Sequence, residues 1–198
     1  MAKQGFLVVG PESSGTKLTA ELLRRAGCRS VAMVGGDDGE PGPLDGHPPL
    51  VRRSFPHGRC WPVLRDLVAQ LGVPEVQAVV TSRDWFTMTD SQVNRRLVAD
   101  HAMAIAHIRR AYQEIFAGIA ELGLSFVVSS FEALTTQPAY AVRLLNVLGL
   151  PAASVATYDA NSKWYEGVSA TTGPPPGTWT AGQPDPAPRD DPVRLAAP

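Results

Sequence analysis

The chain has 198 residues, with 18 Lys and Arg against 19 Asp and Glu, for a formal charge of −1. That length suits one α/β domain with a sizeable core, and the balanced charge excludes a global field for nucleic acid or an anionic membrane. No run approaches the roughly 20 apolar residues of a membrane span, and the first apolar run is too short for a signal segment, so a cytoplasmic protein is expected.

In chain order, Phe6–Val9 is a short, fully apolar run ending in Gly10, the pattern of a buried parallel strand. "PESSGTK" follows, then Leu18, Leu22 and Leu23 at helical spacing, with Gly27 as stop. Ser30–Gly36 reads as a second strand, and Asp37–Pro49 as loop. Trp61, Leu64, Leu67, Val68 and Leu71 mark an amphipathic helix, with Pro62 in its first turn. Val76–Ser82 is the third strand. A long helix is expected from about Ser91 to Leu122, its apolar stripe running through Val98, His101, Ile105, Ile108, Tyr112, Ile115 and Ile119. Leu124–Ser130 is the fourth strand, and Pro138–Leu150 holds the closing helix.

Strands alternating with helices predict a three-layer, P-loop-like α/β domain over residues 1–168. Its sheet would be central and mostly parallel, with four to five strands. Residues 169–198 read as a disordered tail, because eight of the 18 prolines fall in Gly173–Pro198 with almost no aliphatic run to bury. Cys28 and Cys60 lie far apart, with neither a CxxC nor a Cys/His cluster. Both therefore read as reduced, structural thiols.

A glycine-rich turn between a buried strand and a helix aims backbone N–H groups at one point, with the positive helix end behind them. Gly10 and Gly15 have the spacing of a Walker A loop, G-x-x-x-x-G-K-[ST]. Thr16, however, stands at the lysine position and Lys17 at the Ser/Thr position that would hold Mg²⁺. No strand ends on an acidic residue fit for the second metal-ligand role. Phosphate binding is thus expected from Ser13, Ser14, Gly15, Thr16 and Lys17, without magnesium-ATP and without a metal.

"SSGTK" resembles the 5′-phosphosulfate loop of the sulfotransferases that use 3′-phosphoadenosine 5′-phosphosulfate (PAPS). Two further stretches resemble the same family. In "VVTSRDWFTMTDS", Arg83 ends an apolar strand and Ser91 follows eight positions on; in the family this pair clasps the 3′-phosphate. An arginine fork suits a doubly charged phosphate, and both groups should project at the carboxyl ends of the strands. "SSFEALTTQPAYAVRLLNVLGLP" is similar to the family's strand–[YF]-E-x-L element, through Phe131, Glu132, Leu134, Pro138, Leu145, Leu148 and Gly149. The matches span about residues 5–151. The resemblance implies PAPS as cosubstrate, a hydroxyl or amine acceptor such as a sugar or small metabolite, and no nucleic-acid or membrane partner. Two departures stand out. Ser13 occupies the family's basic position, for which Lys17 is the candidate substitute. The C-terminal basic-glycine loop has only "NSKWYEG", with Lys163 and Trp164, as its nearest counterpart.

Sulfuryl transfer needs a base for the acceptor proton and positive charge on the departing phosphate. His57, read as a loop residue among Arg52, Arg53 and Arg59, is the first candidate base; Glu12 is the second. His101 reads as a core residue of the long helix, His107 as exposed, and His47 as loop. Two rivals stay open: a P-loop nucleotide kinase with a shifted lysine, and a non-catalytic nucleotide-binding relative. Acceptor identity and oligomeric state are not encoded legibly.

Overall fold

The computed structural model describes residues 4–31, 46–58 and 60–155. Its elements run β1 (Gln4–Pro11), α1 (Thr16–Arg25), β2 (Arg29–Ser30), β3 (Pro49–Phe55), α2 (Leu64–Leu71), β4 (Glu75–Ser82), α3 (Trp85–Asn94), α4 (His101–Leu122), β5 (Ser125–Ser130), α5 (Phe131–Thr136) and α6 (Pro138–Val147). The five strands form one sheet in the order β2-β3-β1-β4-β5, and every pairing is parallel. This is the expected α/β class.

β1 is the central strand, without a polar side chain after Gln4 and buried on both faces from Gly5 on, as a strand covered by helices on each side must be. Alternation then sorts the core. Phe6 and Val8 face α1 and α6, where they meet Leu22, Leu23, Leu144 and Leu145. Leu7 and Val9 face α2 and α4, where they meet Leu64, Leu67, Ala111 and Ile115. The chain leaves β1 for β2 and β3 on one side of it, then crosses to β4 and β5 on the other. That reversal opens a crevice at the carboxyl end of β1, the place where such sheets take ligands.

Three expectations are corrected. The region around Arg52 and Arg53 is not loop but β3, which pairs with β1 from Phe6↔Leu50 to Pro11↔Phe55. Of the expected Ser30–Gly36 strand, Ser30 pairs, in a β2 that starts one residue earlier at Arg29; residues 32–36 lie outside the described residues, as do the tail and the Lys163–Trp164 segment. The long helix is two helices. α3 stops at Arg95, Arg96 takes a left-handed φ of 56°, and α4 restarts with the Asp100 side chain accepting from the Met103 amide at 2.8 Å. Ser91 therefore belongs to α3. Among the described residues no helix is long and apolar enough to cross a membrane.

Candidate functional site

The segment from Gly10 to Thr16 turns tightly from β1 into α1 and is built from close approaches. A Cβ at Gly10 would collide with the Thr81 hydroxyl on β4. Gly15, the residue ahead of α1, takes φ 96° and has its α-carbon against the Phe131 ring. Only glycine meets both demands there. The Ser14 hydroxyl lies 2.6 Å from Thr81 Oγ1, and the Ser14 amide donates to the Pro11 carbonyl at 3.1 Å. Ser14 thus anchors the loop, and its side chain faces the sheet rather than a ligand.

No side chain caps the N-terminus of α1, whereas Asp84 and Asp100 cap α3 and α4. The first-turn amides of a helix have no intrahelical acceptor, so the α1 amides are directed into the crevice. Ser13 adds to this set. It holds a left-handed φ of 69°, and its Oγ is buried without a hydrogen-bond partner. An orphaned donor beside an uncapped helix start fits an oxyanion ligand.

Arg83, at the carboxyl end of β4, reaches the loop. Its Nη1 donates to the Ser13 carbonyl at 3.2 Å, and its guanidinium lies 4.1 Å over the Phe131 ring. The start of α3 is fixed from behind, because the Asp84 amide donates to Glu132 Oε1 at 2.9 Å while Asp84 Oδ1 accepts from the Thr87 amide. Phe131 and Glu132 therefore set the Arg83 corner, which gives the "FEAL" stretch a positioning role.

Other expected residues are less directly placed. Lys17 lies in the first turn of α1 with an exposed side chain. Ser91 is buried in α3, and among the described residues it makes no hydrogen bond to Arg83 or to the loop. Its neighbour Gln92, which sequence patterning did not single out, donates to the Glu12 carbonyl at 2.8 Å and ties α3 to the loop. Arg52 was also missed as a site residue. Buried on β3, it points Nη1 at Thr16 Oγ1 at 3.5 Å and brings a cation under the first turn of α1.

The two candidate bases are joined through Ser54. Its hydroxyl donates to Glu12 Oε2 at 2.6 Å and lies 3.3 Å from His57 Nδ1. A hydroxyl has one hydrogen. Given to Glu12, it leaves the Ser54 oxygen as acceptor, so Nδ1–H is the donor in the link to His57. Glu12 ends this string, its carboxylate engaged by the Ser54 hydroxyl.

The remaining histidines fall elsewhere. His101 is exposed, not a core residue, and its Nε2 lies 2.7 Å from Asp90 Oδ1. His107 is partly buried rather than exposed, with its ring edge-on to Trp61. His47 donates from Nδ1 to the Gly27 carbonyl at 2.9 Å. Among the described residues no three His, Cys, Asp or Glu side chains gather as a metal site would need. Neither a protein-family model nor a curated protein matches the chain.

Proposed function

We propose that this chain is a PAPS-dependent sulfotransferase. It would move a sulfuryl group from PAPS to a hydroxyl or amine of a sugar or small metabolite. The observation that carries the reading is the meeting of Arg83 with the Ser13 carbonyl. It joins the two segments, loop and strand end, that the sequence resemblance assigns to the 5′ and 3′ ends of one nucleotide.

The α1 amides and the Ser13 hydroxyl take the 5′-phosphosulfate oxygens. Arg83 has five N–H donors, and the fork that holds the Ser13 carbonyl is the group assigned to the 3′-phosphate; Ser91 adds a neutral donor from α3. Arg52, beneath Thr16, and Lys17, in the first turn, supply charge that the family places at the Ser13 position. That charge meets the negative charge developing on the departing phosphate oxygen. His57 takes the acceptor proton at Nε2, held in that tautomer by Ser54 and Glu12. The acceptor oxygen or nitrogen forms its bond to sulfur as the bond from sulfur to the bridging phosphate oxygen breaks.

A magnesium-ATP kinase fits these residues less well, since Lys17 would repel a metal at the hydroxyl position. Transfer of radiolabelled sulfate from PAPS to a pool of sugar and metabolite acceptors tests the activity. The reading expects label in an acceptor product, lost in His57→Ala. Tight binding of adenosine 3′,5′-bisphosphate with no transfer to any acceptor would favour the non-catalytic relative.

A further inference from the structure

The candidate base sits on a turn that lies past the end of the sheet. The β1–β3 ladder ends at Pro11↔Phe55, with a last bond from the Glu12 amide to the Phe55 carbonyl at 3.2 Å. Beyond it the His57 amide donates to the Cys60 carbonyl at 2.9 Å and the Cys60 amide to the His57 carbonyl at 3.1 Å, around Gly58 at φ 60°. Two bonds across four residues make the turn a stiff unit. Its place is then set by what holds its two ends. One end is Phe55, wholly buried in the core. The other is Trp61.

Trp61 is gripped by α4. Its ring meets the His107 ring edge to face at 5.7 Å, and the Arg110 guanidinium lies 3.9 Å over it. His107 and Arg110 are three residues apart, neighbours on one helix face. α4 is itself pinned at the height of the site, because the Tyr112 hydroxyl donates to the Thr81 carbonyl at 3.2 Å and Ala111 and Ile115 are wholly buried. The chain enters α4 from the carboxyl end of the sheet, so His107, five residues before Tyr112, stands about 7–8 Å nearer the crevice. The His107 ring carries an anomaly: Nδ1 is buried without a hydrogen-bond partner. An apolar side chain would fill that space without leaving a polar atom unpaired. What the imidazole contributes is a polar ring in edge-to-face contact with the indole.

We propose that Trp61, clasped by His107 and Arg110, is a positioning residue for His57: it fixes the far end of the turn and so holds the imidazole in its place at Ser54. The inference rests on His57 being the acceptor-side base of the sulfotransferase reading. Ser54, 3.3 Å from His57 Nδ1, orients the ring from the strand, while the clasp sets where its backbone stands. A base must lie within hydrogen-bond reach of the proton it takes, and a misplacement of about 1 Å costs on the order of a hundredfold in rate. No hydrogen bond or ring contact joins Trp61, His107 or Arg110 to residues 10–17 among the described residues. Loosening the clasp therefore touches the acceptor step and spares the donor.

The test uses the full chain with ¹⁵N-labelled histidine, the His57 imidazole signals being assigned from His57→Ala, together with sulfate transfer from PAPS. Trp61→Ala should move the His57 signals and lower kcat roughly ten- to a hundredfold, with the donor KM and the affinity for adenosine 3′,5′-bisphosphate unchanged. Trp61→Phe, which restores an aromatic ring, should recover most of both. His107→Leu removes the edge contact and the unpaired nitrogen together. It should move the same signals and lower kcat about three- to tenfold, the range for one aromatic contact, while the melting temperature holds or rises; this variant decides where Trp61→Ala does not fold. His57 signals that stay native in Trp61→Ala and His107→Leu overturn the proposal, as does a kcat loss matched by an equal loss of nucleotide affinity. Moved His57 signals in a protein that transfers no sulfate keep the clasp and remove the sulfotransferase reading. Active wild type with silent His57 signals in both variants does the reverse.

Discussion

The Arg83 guanidinium donates to the Ser13 carbonyl at 3.2 Å, joining residues 70 positions apart. The contact fixes the loop backbone and brings the arginine fork to the mouth of the crevice in one interaction. Arg83→Ala should therefore weaken adenosine 3′,5′-bisphosphate binding by about 1.5–3 kcal/mol, the range for a charge-assisted hydrogen bond. Calorimetric titration would measure it. Unchanged affinity would remove Arg83 from the site.

Gly15 gives the sharpest structural prediction. A side chain there would meet the Phe131 ring and would have to hold φ 96°. Gly15→Ala should cost at least about 1–2 kcal/mol from the backbone alone and should abolish phosphate binding by displacing the start of α1. Denaturant titration and nucleotide binding check the two parts separately. Gly15→Ala with native stability and affinity would contradict the loop geometry.

The loop and its neighbours were legible in sequence because each has a local signal. An apolar run met a glycine turn at β1, and an arginine ended a second apolar run at β4. β3 was not legible. "PLVRRSF" places two arginines in the middle of a strand buried along its whole length, and charge is the usual mark of an exposed segment. A pattern rule fails at Arg52 and Arg53 because tertiary context, not local propensity, buries them. The break between α3 and α4 carried a signal that the apolar repeat masked: Asp100 is a helix-capping residue, and Arg96 reverses the backbone before it. The Ser54 link between Glu12 and His57 had no sequence signature, since it depends on the register of β3 against the loop.

Ser54 should matter through His57. Replacing His57 with Ala should lower kcat about 10²–10⁴-fold, the usual worth of a positioned base. Ser54→Ala should lower kcat roughly five- to tenfold, near the worth of one hydrogen bond at about 1 kcal/mol, with the donor KM little changed. It should also alter the imidazole ¹⁵N shifts of His57, which report the tautomer. Native shifts in Ser54→Ala would leave the relay without a role.

Alkaline stability follows from two buried acids. Burial pushes the Cys28 thiol from 9.0 up to about 12. Burial, followed by the nearby Glu132 charge, pushes the Tyr112 hydroxyl from 10.0 up to about 12; that hydroxyl donates to the Thr81 carbonyl at 3.2 Å. Both stay protonated in the folded chain while the unfolded chain ionises, so the unfolded state binds fewer protons and stability falls as pH rises. Denaturation midpoints should be level to about pH 9 and then decline toward pH 12, by at most about 1.4 kcal/mol per pH unit for each group. Cys28→Ala should flatten the first part of that decline. The exposed Cys60 should react with a thiol reagent in the native protein, and Cys28 only after unfolding.

The most direct test of the central claim is the change in melting temperature caused by adenosine 3′,5′-bisphosphate in the presence of a metal chelator, set beside that caused by magnesium-ATP. A ligand at 100 times its Kd adds about 2.7 kcal/mol of stability. The bisphosphate should therefore raise the transition by several degrees without metal, Arg83→Ala should lose most of that rise, and magnesium-ATP should leave the wild type where it was. A rise with magnesium-ATP and none with the bisphosphate would contradict the account.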